Sequence, residues 1–360
     1  MSSIASRSGG FRLGWDKGII LLLVLLILFG GMTNEQFLTT DNVNFIIGDV
    51  SEVMLIAFPM ALLIIVREID LSVASILTLA SAVTGVTWHA SQSMIVAILA
   101  GLATGVACGF VNGLLVTRLG LSSLAVTIGT LALFRGLCFV VLGDQPVADF
   151  PEWFTNLGYQ PIGTTFLPWV VIPMIIAGLV FWYVLHGTRT GRWLFAIGMG
   201  DDAATFSGIP VTRVKLLLFV ATGFMSGFAG IAYTVRFASS SPDGAVGYEL
   251  LVIAAVLFGG VAIAGGVGTI WGVVAAVLIW GFSRSYLQLE GWDANGLVIV
   301  AGLLLLVSVT VPRLFTAIRT RVAHRSPRPS GRGGGSSPSG ESLQRESPVS
   351  AGHDQGSHQR

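Results

Sequence analysis

The sequence predicts an all-α integral membrane protein of about ten transmembrane segments, some of them broken or re-entrant, and three observations predict it. Of 360 residues, 53% are apolar and 11% charged, with a mean hydropathy of +0.80. A soluble domain carries roughly 25% charged residues, so most of this chain does not face water. Its uncharged stretches suit helices of the roughly 17 to 25 residues that cross a bilayer. Lysine and arginine collect on alternate loops, as they do on the cytoplasmic side of membrane proteins. A nucleic-acid binder, a secreted disulfide scaffold and a soluble enzyme are excluded.

In chain order, the clear spans are 18–32, 121–143, 166–185, 216–235 and 296–312, with a shorter apolar stretch at 53–66. The first has a basic flank (Arg7, Arg12, Lys17) but no small-x-small cleavage site after it, so it reads as a span rather than a signal peptide. Residues 71–117, between Asp70 and Arg118, carry no charge and hold two helices that turn near His89 to Ser93. Residues 250–283, between Glu249 and Arg284, hold two more, punctuated by Gly259, Gly260, Gly265 and Gly266. The second of this pair is the candidate half-span that re-enters the membrane.

Ten crossings place both termini in the cytoplasm together with Arg67, Arg118, the group Arg189, Arg192, Arg213 and Lys215, and the basic residues after Pro312. The outer loops then hold Arg236 and Arg284 among many acids, including Asp41, Asp49, Glu52, Asp144 and Glu249. Four regions follow: a cytoplasmic N-terminal segment 1–17, a transmembrane domain 18–312, a cytoplasmic loop 186–215 within it, and a tail 313–360. The tail is basic, then rich in Ser, Pro and Gly, with nothing to bury, and is expected to be disordered.

Only Lys17 and Lys215 occur as lysines, each followed by an apolar residue or glycine, so no phosphate-cradling G-x-x-x-x-G-K-[ST] loop exists in the chain. No H-E-x-x-H occurs, and the five histidines fall at expected membrane edges or in the tail. Cys108 and Cys138 lie in apolar runs, where cysteine packs as a small hydrophobe. No catalytic residue, metal site or cofactor is assigned. Arg135 is the one plain ionisable residue expected in mid-membrane. Ion-coupled carriers need buried carboxylates or polar relays, and their scarcity argues that energy comes from elsewhere.

Four features carry functional expectations. Within 186–215, Asp201 or Asp202 caps a helix start, Ala203 to Ser207 makes about two turns, and Gly208 with Pro210 supplies the stop. So short a helix is unstable alone and must dock, either on a soluble partner or on its own bundle. Ala203 and Ala204 would meet a partner's groove, with Phe206 as apolar anchor. Gly101, Gly105, Gly109 and Gly113 recur every four residues and form a stripe that lets helices approach closely, most simply within the chain. Asn112 beside it needs a hydrogen-bond partner and serves either as internal glue or in a polar solute path. Thr127, Thr130 and Arg135 share one span and extend that candidate path; Arg135 otherwise bonds neighbouring carbonyls or snorkels outward. Glu68 and Asp70 are read as caps of the helix that follows them.

These pieces together resemble the permease subunits of ribose-type and autoinducer-2-type ATP-binding cassette sugar importers. Ile69-Asp70-Leu71-Ser72-Val73 is similar to the family's G-G-I-D-L-S-V-G signature, with Arg67-Glu68 in place of its glycine pair and Ala74 in place of its last glycine. Val111 to Val116, Val126 to Thr130 and Arg135-Gly136 follow in the usual order. Gly191-Arg192, Ala196-Ile197-Gly198, Ala203-Ala204 and Ser207-Gly208-Ile209 match the family's segment that couples to the ATPase. Gly259-Gly260, Gly265-Gly266, Gly268-Thr269 and Gly272 match its glycine-rich penultimate region, read here as helix packing.

The resemblance spans about 270 residues and implies a bacterial inner-membrane permease. It implies partners too: two cytoplasmic ATP-binding subunits, a second permease copy or sister permease, and an extracytoplasmic solute-binding protein. The coupling residues it marks are Gly191, Arg192, Asp201, Asp202, Ala203, Ala204, Phe206, Ser207 and Gly208. The Arg-Glu variant looks most like the rhamnose and autoinducer-2 branches. Two other classes stand beside it: an ion-coupled secondary transporter, and a membrane scaffold without transport. Both lack an obligatory ATPase partner.

Overall fold

The computed structural model describes residues 9–293 apart from 144 and 159, together with 296, 299, 302 and 303. All lie in one compact unit, Met1–Leu314. The helices in order are α1 (Gly9–Thr33), α2 (Thr40–Ile65), α3 (Val73–Ser91), α4 (Met94–Leu119), α5 (Ser123–Leu142), α6 (Glu152–Asn156), α7 (Val171–Gly187), α8 (Arg189–Met199), α9 (Asp201–Phe206), α10 (Val211–Phe237), α11 (Tyr248–Phe258) and α12 (Ile270–Leu289). Among the described residues, β pairing is limited to two isolated bridges, Val147 with Ser240 and Pro161 with Pro168. The fold is all-α.

Seven of these helices, α1 to α5, α10 and α12, are long and apolar enough to cross a membrane. An eighth candidate is α7, which has 17 residues and bends by 69° into α8. The expected count of ten is therefore not reached among the described residues. The span expected at 296–312 lies outside them except for scattered positions, and so does the tail.

Two span limits are corrected. The helix expected at 53–66 begins at Thr40, where Thr39 caps it by accepting the Asn42 N–H at 3.4 Å. Asp49 and Glu52 are therefore inside α2, not in an outer loop. In the 250–283 region the short member is the first, α11, with 11 residues, while α12 is a full 20. At about 1.5 Å per residue, α11 covers roughly half of a ~30 Å hydrocarbon core. Glu249 and Arg284 also fall on helices, in the first turn of α11 and well inside α12.

α2 is mostly apolar, with Asp49, Ser51 and Glu52 buried in it, and is buried along most of its length, as a helix surrounded by others must be. Its neighbours are α7, α8, α10, α11 and α12. Lipid supplies no hydrophobic drive for helices to associate, so close packing and polar pairing must do so. The most extensive packing joins α4 to α10. A methyl group built on Gly105 or Gly109 would fall on the backbone oxygen of Gly223 or Phe219, and one on Gly223 would fall on the Gly105 oxygen. Gly101 abuts Thr84 of α3 and Gly113 abuts Leu216 and Phe219. The stripe thus meets other helices of the same chain.

Candidate functional site

The segment singled out in 186–215 forms two helices joined at Gly200. Thr188 caps α8 by accepting the Gly191 N–H at 3.3 Å, and Arg192 donates back to the Thr188 carbonyl. α8 is amphipathic: Gly191, Leu194, Ile197 and Gly198 are buried and Arg192 is exposed. α9 then runs over Asp201–Phe206 and stops at Gly208, whose φ of +80° is left-handed.

Two expectations for α9 are corrected. Neither Asp201 nor Asp202 caps it; Gly200 occupies the N-cap position with no side-chain bond. The Oδ2 of Asp201 instead receives the Nζ of Lys215 at 2.5 Å. Ala204 does not face outward but joins the chain's own main apolar core. Asp202, Ala203, Phe206, Ser207 and Gly208 are the exposed set, and the ring of Phe206 is 92% exposed. Phe206 is thus a bare aromatic side chain on a short helix anchored through Asp201.

The linker between α2 and α3 joins this element to the bundle. Lys215 also bonds Glu68 Oε1 at 2.7 Å, so one ammonium ties α9, the linker and the start of α10 together. Arg67, at a φ of 67°, donates to the Ala264 carbonyl at 2.8 Å and the Met199 carbonyl at 3.3 Å. The Gly266 N–H donates to the Ile65 carbonyl at 2.9 Å. Gly265 and Gly266 have left-handed φ of +81° and +68° and lie under Arg67, Gly198 and Met199. Gly260 lies beneath Trp15, and Gly259 presses on Val273 at the start of α12. The penultimate glycines thus lie at the turn between α11 and α12, where Gly259 and Gly260 pack against α12 and Trp15 of α1, and Gly265 and Gly266 against the α8 end.

Asp70 and Ser72 complete the linker. The Ser72 N–H and Oγ donate to Asp70 Oδ1 at 2.9 and 2.6 Å, and Asn112 Nδ2 of α4 donates to Ser72 Oγ at 2.8 Å and Asp70 Oδ2 at 3.4 Å. Burial pushes the Asp70 carboxyl above the usual carboxylate range, against the lowering effect of these bonds. Neither Glu68 nor Asp70 is the N-cap of α3; Ser72 holds that position. Asn112 thus ties α4 to the linker.

The remaining candidates for a solute path, Thr127, Thr130 and Arg135, are each held by backbone carbonyls. Thr127 donates to the Ser123 and Ile69 carbonyls at 2.8 and 3.4 Å, and Thr130 to the Thr127 carbonyl at 3.5 Å. Arg135 Nη1 donates to the carbonyls of Pro242 and Gly244 at 3.1 and 2.7 Å and to Thr78 Oγ1 at 3.1 Å. Those carbonyls belong to the non-helical stretch between α10 and α11. Such backbone survives away from water only where the protein satisfies it, and Arg135 does so together with Thr78, which donates to the Gly244 carbonyl at 2.9 Å. A cavity of about 620 Å³ opens elsewhere, at the Thr40 end of α2, and none of Asn112, Thr127, Thr130 and Arg135 lines it.

A buried charge cluster was not anticipated. Asp49 Oδ1 accepts from Arg236 Nη1 at 3.1 Å and from Arg284 Nη1 at 2.5 Å, while Glu52 Oε1 accepts from Arg236 Nε at 2.7 Å. Arg236 Nη2 reaches the Tyr248 hydroxyl at 3.3 Å. Arg135 is thus not the one ionisable residue inside the bundle. The spacing of Asp49 and Glu52, three apart in a run that is otherwise apolar to Val66, is the signal that places both on one helix face. Nothing in the sequence identifies their arginines.

Residues 42–309 match the family described as branched-chain amino acid transport system / permease component. Among curated proteins, the chain is 35% identical to the ribose import permease protein RbsC of Escherichia coli K12, over 82% of this chain and 92% of that one. It is 33% identical to the L-arabinose ABC transporter permease protein AraH of Azospirillum brasilense, over 84% and 89%. It is 31% identical to the autoinducer 2 import system permease protein LsrD of Yersinia pseudotuberculosis, over 83% and 91%. No solved structure matches.

Proposed function

From the premise that this chain belongs to the branched-chain amino acid transport system / permease component family, we propose that it is the membrane-spanning subunit of an ATP-binding cassette importer for a sugar or sugar-like solute. Relatives named for ribose, L-arabinose, D-allose and autoinducer 2 support that solute class. Two ATP-binding subunits dock at the α8–α9 end, a second permease completes the membrane unit, and a solute-binding protein delivers from the other side. Hydrolysis on the partner drives alternating access. Both termini are cytoplasmic, so a cysteine placed at Thr155 reacts with an impermeant reagent in intact cells, and failure to react would reverse the orientation.

The observation that carries the reading is the exposed Phe206 on an element tied through Lys215 and Arg67 to α2, α10 and the turn before α12. A displacement of α9 is transmitted to these helices only through contacts that stay formed. The ion-coupled alternative gains three buried carboxylates, but Asp49 and Glu52 are paired with arginines and Asp70 is held by Ser72 and Asn112, which suits structural clusters better than a proton relay. The test is uptake of labelled D-ribose, D-allose and L-arabinose by the assembled importer in sealed vesicles. The proposal expects uptake that requires ATP and the ATPase and survives ionophores; uptake by the permease alone, driven by an ion gradient, would refute it.

A further inference from the structure

The cavity at the Thr40 end of α2 has a chemistry that the coupling account does not use. Asp41, Phe45 and Gly48 follow one another at four and three residues and so share one face of α2 with Asn44. That face meets the 158–166 loop and the end of α10. Gly158 lets the loop lie against the Val235 carbonyl and Arg236, and Asn44 Nδ2 holds it by donating to the Phe166 carbonyl at 2.9 Å. The space between is about 620 Å³, within the ~300–1,000 Å³ of small-molecule sites.

Its walls are of two kinds. The rings of Phe45, Phe166 and Phe237 are each half exposed. Asp41, Asn44 and Thr164 add a carboxylate, an amide and a hydroxyl to the same lining. Arg236 forms the floor, with its charge offset by Asp49 and Glu52 and its guanidinium 4.2 Å from the Phe237 ring centre. Rings suit the C–H faces of a pyranose or furanose, and a carboxylate and amide suit its hydroxyls. A phosphate headgroup would meet the Asp41 carboxylate and no uncompensated cation, so the chemistry selects a neutral polyol over an anionic lipid.

We propose that this cavity is a receiving site for a neutral monosaccharide at the outer end of the permease, occupied after release from the binding protein and before passage. The proposal rests on the sugar-permease reading. It is tested on the full chain in nanodiscs, with Thr40→Cys at the cavity edge as reporter, since Cys108 and Cys138 are both buried. Labelling by an impermeant maleimide is timed with D-ribose, D-allose or L-arabinose present. A saturating sugar should slow labelling about tenfold, because a site nine-tenths occupied is open one-tenth of the time. Asp41→Asn and Phe166→Ala, each added to the reporter, should abolish that protection. If none of the three sugars protects, or if phosphatidylglycerol protects instead, the site is refuted. Uptake of one of the sugars by the complete importer without protection would refute the site while the permease reading stands.

Discussion

The ammonium of Lys215 lies 2.5 Å from the carboxylate of Asp201, and this bond joins the short exposed helix α9 to the first turn of the long helix α10. Because the same ammonium holds Glu68, three separate parts of the chain converge on one cation.

Lys215→Met should leave Glu68 and Asp201 facing each other without their cation. Asp201 is about half exposed and screened by solvent, so losing that pair costs folding little. Glu68, 13% exposed, loses its cation in drier surroundings and accounts for most of the cost. The cost to transmission is larger: uptake should fall about tenfold, within the range of a typical coupling free energy, while the ATPase still co-purifies. Paired measurements of uptake and co-purification check this; normal uptake would remove the lysine from the coupling route.

Asp49 carries two arginines from two helices. Asp49→Asn should leave partly exposed Arg284 without its carboxylate and Arg236 with Glu52 alone, and destabilise the protein by about 2–3 kcal/mol, read as a lower thermal midpoint in detergent and less protein in the membrane. Asp49→Leu combined with Arg284→Leu should recover part of the loss. A single Asp49→Asn variant of normal stability would show that the cluster does not hold α2, α10 and α12 together.

Gly109→Leu should wedge α4 from α10, since the added side chain meets the backbone of Phe219 and Gly223 rather than a side chain that can turn aside. Ordinary overpacking costs about 1–3 kcal/mol, and this site has less room to relax. Membrane abundance measured beside a Gly129→Leu control, where nothing stands within 4 Å, should fall for Gly109→Leu alone.

The all-α membrane fold was legible because composition and uncharged length report burial in lipid directly. The turn near Gln92 was legible because the uncharged run is long enough for two helices and polar residues from His89 to Ser93 interrupt it. The stop at Gly208 was legible because left-handed backbone favours glycine. What failed was any inference that took charge as a marker of water. Asp49, Glu52 and Arg284 were assigned to loops, yet they lie on helices because arginines distant in sequence neutralise the acids, and such pairing has no local signal. Asp201 was misread for the same reason: an acid at a helix start satisfies the capping pattern, but Lys215 takes its carboxylate. Ala204 was read as outward because a small residue suits a partner's groove as well as the chain's own core. The unwound stretch that Arg135 satisfies was also invisible, since its carbonyls come from any residue type.

The most direct measurement on the coupling account is co-purification of the ATPase with Phe206→Asp and Ala203→Arg variants, scored beside membrane abundance and uptake. Both side chains are exposed and make no contact the fold depends on. The account predicts normal abundance, loss of the bound ATPase and loss of uptake in each. If both variants retain the ATPase and import solute normally, α9 is not the element through which hydrolysis moves this permease.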